Sequence, residues 1–156
     1  MRFDVWRYRC ESCGAEFDGP GFDSSFFYGT FVAYSSNLEI AIWDSCETPL
    51  WDEFSALVEA DPRAGGISDY SLGDLIRGVA SRCLDPDSRG AAFAFAGHCF
   101  CPYCDPPGEV HPAGSRDGDW PDPGRAVTSV RWDGLSDEDK AREVRVALDV
   151  LLGRPG

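Results

Sequence analysis

Apolar and polar residues largely alternate through Phe3-Asp4-Val5-Trp6-Arg7-Tyr8-Arg9-Cys10, the period of two that marks a strand with one buried face. Phe17 opens the predicted return strand, and Asp18-Gly19-Pro20-Gly21 supplies turn chemistry. A β-prone run with Phe26, Phe27, Tyr28, Phe31, Val32 and Tyr34 follows. Ser35-Ser36-Asn37 turns it into Leu38-Glu39-Ile40-Ala41-Ile42-Trp43, so the two segments predict a hairpin in an antiparallel sheet. The period then lengthens. Thr48-Pro49 with Asp52 and Glu53 predicts a helix start that places Trp51, Phe54, Leu57 and Val58 on one face, and 61–66 ends it. A second helix is predicted from Ser71, with Leu72, Leu75, Ile76, Val79, Ala80 and Cys83 as its apolar stripe.

Ala91-Ala92-Phe93-Ala94-Phe95-Ala96 predicts a strand with both phenylalanines on one face. Prolines, glycines and aspartates dominate 105–125, which predicts an exposed loop, and Val127, Val130 and Trp132 predict a short final strand. Ser136 begins a closing helix over 136–152 that buries Ala141, Val144, Ala147, Leu148, Leu151 and Leu152 and is stopped by Gly153 and Pro155. The expected architecture is a single α+β domain over 1–156, an antiparallel sheet of about five strands flanked by about three helices.

Charge narrows the partners. The formal net charge is −13 at pH 7, which repels phosphate backbones and anionic lipid, so nucleic acid and membrane are not the expected partners, and the acidity serves either solubility or attraction to a basic protein surface. No apolar run approaches the ~20 residues of a spanning helix, and Met1-Arg2-Phe3-Asp4 lacks the pattern of an export signal, so the expected location is cytoplasmic. In that compartment thiols stay reduced, and the count of 7 cysteines is odd, which argues against a disulfide framework.

Two cysteine pairs carry the chemistry: Cys10-Glu11-Ser12-Cys13-Gly14 and Cys101-Pro102-Tyr103-Cys104. Each has the spacing with which a tight turn presents two sulfurs to one ion, and Gly14 can adopt the left-handed conformation that closes the first turn. Together they predict one four-thiolate metal site, built from 8–17 and 99–105, with 18–98 as an α/β insertion between the pairs. The segment Tyr8-Arg9-Cys10-Glu11-Ser12-Cys13-Gly14-Ala15-Glu16-Phe17 and the later pair resemble the zinc ribbon and rubredoxin-like class. The resemblance implies that Cys10, Cys13, Cys101 and Cys104 are the ligands. It departs from the class at Asp105, where glycine is usual, and in the length of the insertion.

Four thiolates around a tetrahedral ion leave no open position, so the expected zinc is structural, with iron as the alternative ion and Cys99 as an alternative ligand. Trp120, in a polar proline-rich stretch, is the candidate interface anchor. Cys46 is a lone thiol ahead of a helix start, and no partner histidine stands at a recognisable spacing from it. His98 is expected as a strand residue beside the second pair and His111 as a solvated loop residue, and Asp117, Asp119 and Asp122 do not follow the calcium-loop pattern. The expected function is non-enzymatic: a zinc-stabilised acidic protein that binds another protein, in one form an inhibitor or immunity-type protein. Two alternatives stay open, a redox or metal-responsive protein that works through the thiolates, and an enzyme whose site is assembled from scattered residues such as His98, Asp44, Cys46 and Glu47.

Overall fold

The computed structural model describes residues 2–21 and 29–153. Phe26, Phe27, Tyr28 and Pro155, expected in a strand and after the last helix, lie outside the described residues. The protein is α+β, and its chain folds as two compact units: Met1–Trp43 with Pro86–Val127, and Asp44–Asp85 with Thr128–Gly156.

The first unit holds two three-stranded sheets where the sequence predicted one antiparallel sheet. In the first sheet, β1 (Asp4–Cys10) lies between β2 (Glu16–Gly21) and β5 (Val110–Asp119). The predicted alternation of β1 holds: Tyr8 and Cys10 are buried while Arg9 is exposed. Its register with β2 runs antiparallel from Asp4↔Gly21 to Arg9↔Glu16, so the predicted turn at 18–21 is the far end of β2. Gly19 is needed there because a Cβ on it would come within 2.9 Å of the Cys99 sulfur and 3.2 Å of the Tyr8 ring.

β5 corrects the expected loop over 105–125. It is exposed as predicted, with only Val110 buried, but it is a strand of 10 residues. Its side chains give no apolar period, because what makes it a strand is its antiparallel ladder to β1 and not a buried face. The ladder shifts register between Asp4 and Val5 and between Arg7 and Tyr8, opposite a stretch that contains Pro112, Gly114 and Gly118.

The second sheet runs β3 (Thr30–Tyr34), β4 (Ile40–Asp44) and β6 (Arg125–Ala126), and the β4–β6 pair is parallel. The strand predicted at 91–96 is reduced to one bridge, Tyr34↔Ala94. Its two phenylalanines do share a side: Phe93 is buried with Ala33 and Ala41, and Phe95 packs against that cluster. The main core of this unit joins Phe3, Tyr8, Cys10, Phe17, Tyr34, Ile40, Cys99, Cys101 and Val110.

The second unit is helical. α1 (Leu50–Glu59) buries Leu50, Phe54 and Val58; α2 (Asp69–Cys83) buries Leu75, Ile76, Val79, Ala80 and Cys83; α4 (Asp137–Leu152) buries Val144, Ala147 and Leu148. Leu151 and Leu152, expected on that buried face, are 39% and 41% exposed. α2 starts before its expected position because Ser68 Oγ takes the amide of Ser71, which makes Ser68 the cap. α1 starts at Leu50, and the Thr48 hydroxyl donates to the Asp44 carbonyl at 3.1 Å. The predicted cap of α4 holds, with Ser136 accepting from the Asp139 amide.

Val130 and Trp132, expected in a strand, form the one-turn helix α3 (Val130–Asp133). The Asp85 carboxylate accepts from the amides of Val130 and Arg131, satisfying two of the free donors that a helix start leaves. Trp132 is fully buried against Phe54, with ring centroids 4.6 Å apart, and its Nε1 donates to Glu53, whose other oxygen accepts from Lys140 at 2.6 Å. Among the described residues no helix is long and apolar enough to cross a membrane.

Asp87 organises the turn that leads back into the first unit. It is buried, and its carboxylate accepts from the amides of Arg89 and Ala91 and from the Asn37 side chain. Burial alone would raise its pKa, but the Asn37 and Ser35 side chains and those two amides outweigh it and hold the group below the ordinary carboxylate value. A depressed folded pKa means that the stability it supplies is complete above the unfolded pKa and is lost as pH falls through the folded one. Asp87→Ala is expected to cost about 2–3 kcal/mol at neutral pH by leaving buried donors unpaired, measured by denaturant unfolding. The gap to the parent is expected to narrow as the solution is acidified through the carboxylate range; a gap that stays constant would contradict this account.

Candidate metal centre

β1 delivers Cys10, and the chain then folds over Glu11, Ser12 and Cys13 into β2. The turn closes when Gly14, at φ 73°, donates to the Cys10 carbonyl and the Cys10 amide donates to the Ala15 carbonyl. Gly14 therefore has the backbone role expected of it. The second pair closes later. Its Cys101 amide donates to the Gly108 carbonyl at 3.3 Å, seven residues on, whereas Cys10 finds its acceptor five residues on. Asp105, in the place where glycine is usual, thus belongs to a longer return that passes through a cis peptide to Pro106 before reaching Gly108.

The strands bring these two turns together. Val110, two residues after Gly108, pairs with Cys10, and the Glu11 amide donates to the Glu109 carbonyl at 3.1 Å. The entry of one turn is thereby hydrogen-bonded to the exit of the other.

The sulfurs of Cys10, Cys13, Cys101 and Cys104 all lie within 4.8 Å of one another. Two contacts cross between the turns, Cys10 Sγ to Cys104 Sγ at 3.6 Å and Cys13 Sγ to Cys101 Sγ at 3.7 Å. A tetrahedral ion with metal–sulfur bonds of about 2.3 Å, the zinc–thiolate length, would set its sulfurs about 3.8 Å apart. The two crossing contacts are therefore already at the spacing of a coordination shell. Cys10 and Cys101 are buried, Cys104 is half-buried and Cys13 is exposed.

The electrostatics fit a cation as well. The Cys13 amide, helped by that of Ser12, points at the Cys10 sulfur and lowers its pKa to about 6 against the opposing effect of burial. Burial raises Cys101, and the neighbouring Cys13 and Cys10 thiols push Cys104 up to about 12. Cys10 is favoured as a thiolate while burial holds Cys101 and crowding holds Cys104 protonated, so a metal ion in place of those protons would relieve the conflict.

Gly108 completes the centre, and the spacing of the cysteines does not reveal it. A Cβ at this position would stand 2.9 Å from Cys10 Sγ, 3.0 Å from Ser12 Oγ and 3.4 Å from Cys104 Sγ. The backbone presses on the sulfurs from one side, and only glycine leaves them room. The signal available in the sequence was Pro106-Pro107-Gly108, a turn string placed just after the second pair.

Cys99 stands apart from this group. It is fully buried in the core, burial raises its thiol pKa to about 12, and its sulfur lies beside Gly19 and the ring of Tyr8. Trp120 is half-buried, packs against the same core and donates its amide to the Phe3 carbonyl at 2.8 Å. His98 makes a 3.0 Å contact with the Cys99 carbonyl through Nδ1, and His111 pairs with Glu11 on the surface of the first turn. Asp44 accepts from the amides of Cys46 and Glu47, so its carboxylate shapes a turn, and Cys46 is exposed. Of the three aspartates in 117–122, Asp119 pairs with Arg2 and Asp122 accepts from the Gly124 amide.

Cys13→Ser is expected to abolish stoichiometric metal and sharply lower the melting temperature, read by elemental analysis and thermal unfolding. Gly108→Ala is expected to weaken metal binding about 10- to 100-fold in a competition titration with a chromophoric chelator, while all four ligands remain. Unchanged affinity in the alanine variant would mean that the return loop yields without disturbing the sulfurs. No protein-family model, curated protein or solved structure matches this chain.

Proposed function

We propose that the four-cysteine centre is a zinc-ribbon-like structural zinc site, and that the protein is a non-enzymatic, cytoplasmic acidic protein that binds another protein. The observation that carries this reading is the closed sulfur cluster. Four protein ligands within 4.8 Å of one another fill a tetrahedral shell, so an ion held there has no free position at which to activate water or bind a substrate. Its contribution is to folding, about 10–16 kcal/mol of apparent binding energy in small zinc modules. The charge of −13 supports a partner with a basic surface, because opposite charge raises the association rate. An inhibitor or immunity-type protein that covers a basic active site is one concrete form.

A second reading is favoured by the exposure of Cys13: a redox or metal-responsive protein in which the thiolates, with zinc or iron, are the working part. Metal content and the visible spectrum separate the two. Protein purified without chelator is expected to carry stoichiometric zinc and no colour, whereas iron with charge-transfer colour would favour the second reading. For the first, a protein partner is expected from native lysate, and its association rate is expected to fall as salt rises from about 0.01 M to about 1 M, where the Debye length shrinks from about 30 Å to about 3 Å. A salt-insensitive rate, or no recovered partner, would count against it.

A further inference from the structure

We propose that the four cysteines also form a thiol–disulfide switch whose oxidised state keeps the two turns joined, through Cys13–Cys101 and Cys10–Cys104. The pairing follows from two observations. The first is distance: the contacts of 3.7 Å and 3.6 Å both cross from one turn to the other, and each needs about 1.6 Å of approach to reach the bond length of a disulfide. The second is access. Cys13 is exposed and Cys101 buried, while Cys104 is half-buried and Cys10 buried, so each crossing pair joins a sulfur that solvent reaches to one that it does not. For Cys13 and Cys101 that is the arrangement of an attacking thiol and its resolving partner.

The oxidant that the chemistry requires is a peroxide. In the metal-free chain the Cys13 sulfur attacks one peroxide oxygen, the O–O bond breaks, and a sulfenic acid and one water result. The Cys101 sulfur then attacks the Cys13 sulfur, the S–O bond breaks, the S–S bond forms, and a second water leaves. The two thiols lose two electrons and two protons, and the peroxide takes up both. A second equivalent of peroxide joins Cys10 to Cys104 by the same two displacements.

The consequence differs from that of disulfides formed within each turn. Crossing disulfides tie residues 88 and 94 positions apart, so the chain stays clipped when no ion holds it. Bonds within Cys10–Cys13 and Cys101–Cys104 would release the two turns from one another. This inference rests on the grouping of the four sulfurs and not on the binding of a protein partner.

The test uses the full chain carrying Cys46→Ser, which removes the one exposed thiol outside the cluster. The protein is stripped with chelator, exposed to hydrogen peroxide under native conditions, digested without reduction and analysed by mass spectrometry. Peptides joined as 13–101 and 10–104 are expected, together with a higher melting temperature for the oxidised protein than for the reduced metal-free form. A sulfenic-acid trap is expected to label Cys13 ahead of Cys101. Peptides joined as 10–13 and 101–104, a scrambled mixture, or over-oxidation without disulfides would overturn the proposal. A zinc-loaded sample is expected to resist the same treatment; equal reactivity with and without zinc would show that the ion and the disulfides do not compete for these sulfurs. The zinc reading and this one fail separately, since the first is judged by metal content and the second by disulfide connectivity.

Discussion

The ladder between β1 and β5 is what the cysteine centre depends on. Backbone hydrogen bonds set Cys10 opposite Val110 and Arg9 opposite His111, and that register fixes which turn residues face each other. The sulfurs meet because two strands from distant parts of the chain are paired, and a metal ion would lock a convergence that the backbone already makes. Loop closure across so long an excursion carries an entropic cost, and a site that engages both sides of the closure offsets it where the closure is made. Cys10 and Cys101 also belong to the apolar core with Phe3, Phe17 and Ile40, so the ligands are held by packing as well as by the ladder.

The helical unit is held by other means. Trp132 sits on Phe54, donates to Glu53 and lies under the Lys140 ammonium, which is 5.2 Å from its ring. Arg63 binds Asp61 and Asp149 through separate nitrogens, linking the turn after α1 to α4. No sulfur from the four-cysteine group enters these contacts. Cys83, the buried thiol of this unit, lies in the apolar stripe of α2 as its spacing implied, and burial raises its pKa to about 11.

What the sequence made legible was whatever rests on side-chain period or on covalent spacing. β1, the buried stripes of α1 and α2, and the Ser136 cap follow from alternation, from helical spacing and from the preference of hydroxyls for a helix start. The four cysteines follow from paired spacing. What escaped depends on partners remote in the chain. β5 is a strand because β1 lies beside it, α3 is a helix because Asp85 caps it, and Gly108 belongs to the centre because a later turn folds back over Cys10. Apart from the Pro106-Pro107-Gly108 turn string, these leave no local mark, since a backbone ladder or a close approach imposes only a tolerance on the side chains involved.

β5 has a further consequence, for self-association. Among the described residues it ends the order of its sheet, and a long strand at such an edge is a template on which another chain can add a strand. Here the template is broken along its length. Pro112 offers no N–H, and the register shifts interrupt the regular spacing of donors and acceptors, while Arg116 and Asp119 are tied back to Asp18 and Arg2. The exposed, period-free composition that hides this strand from sequence inspection is the same composition that makes it a poor surface for aggregation.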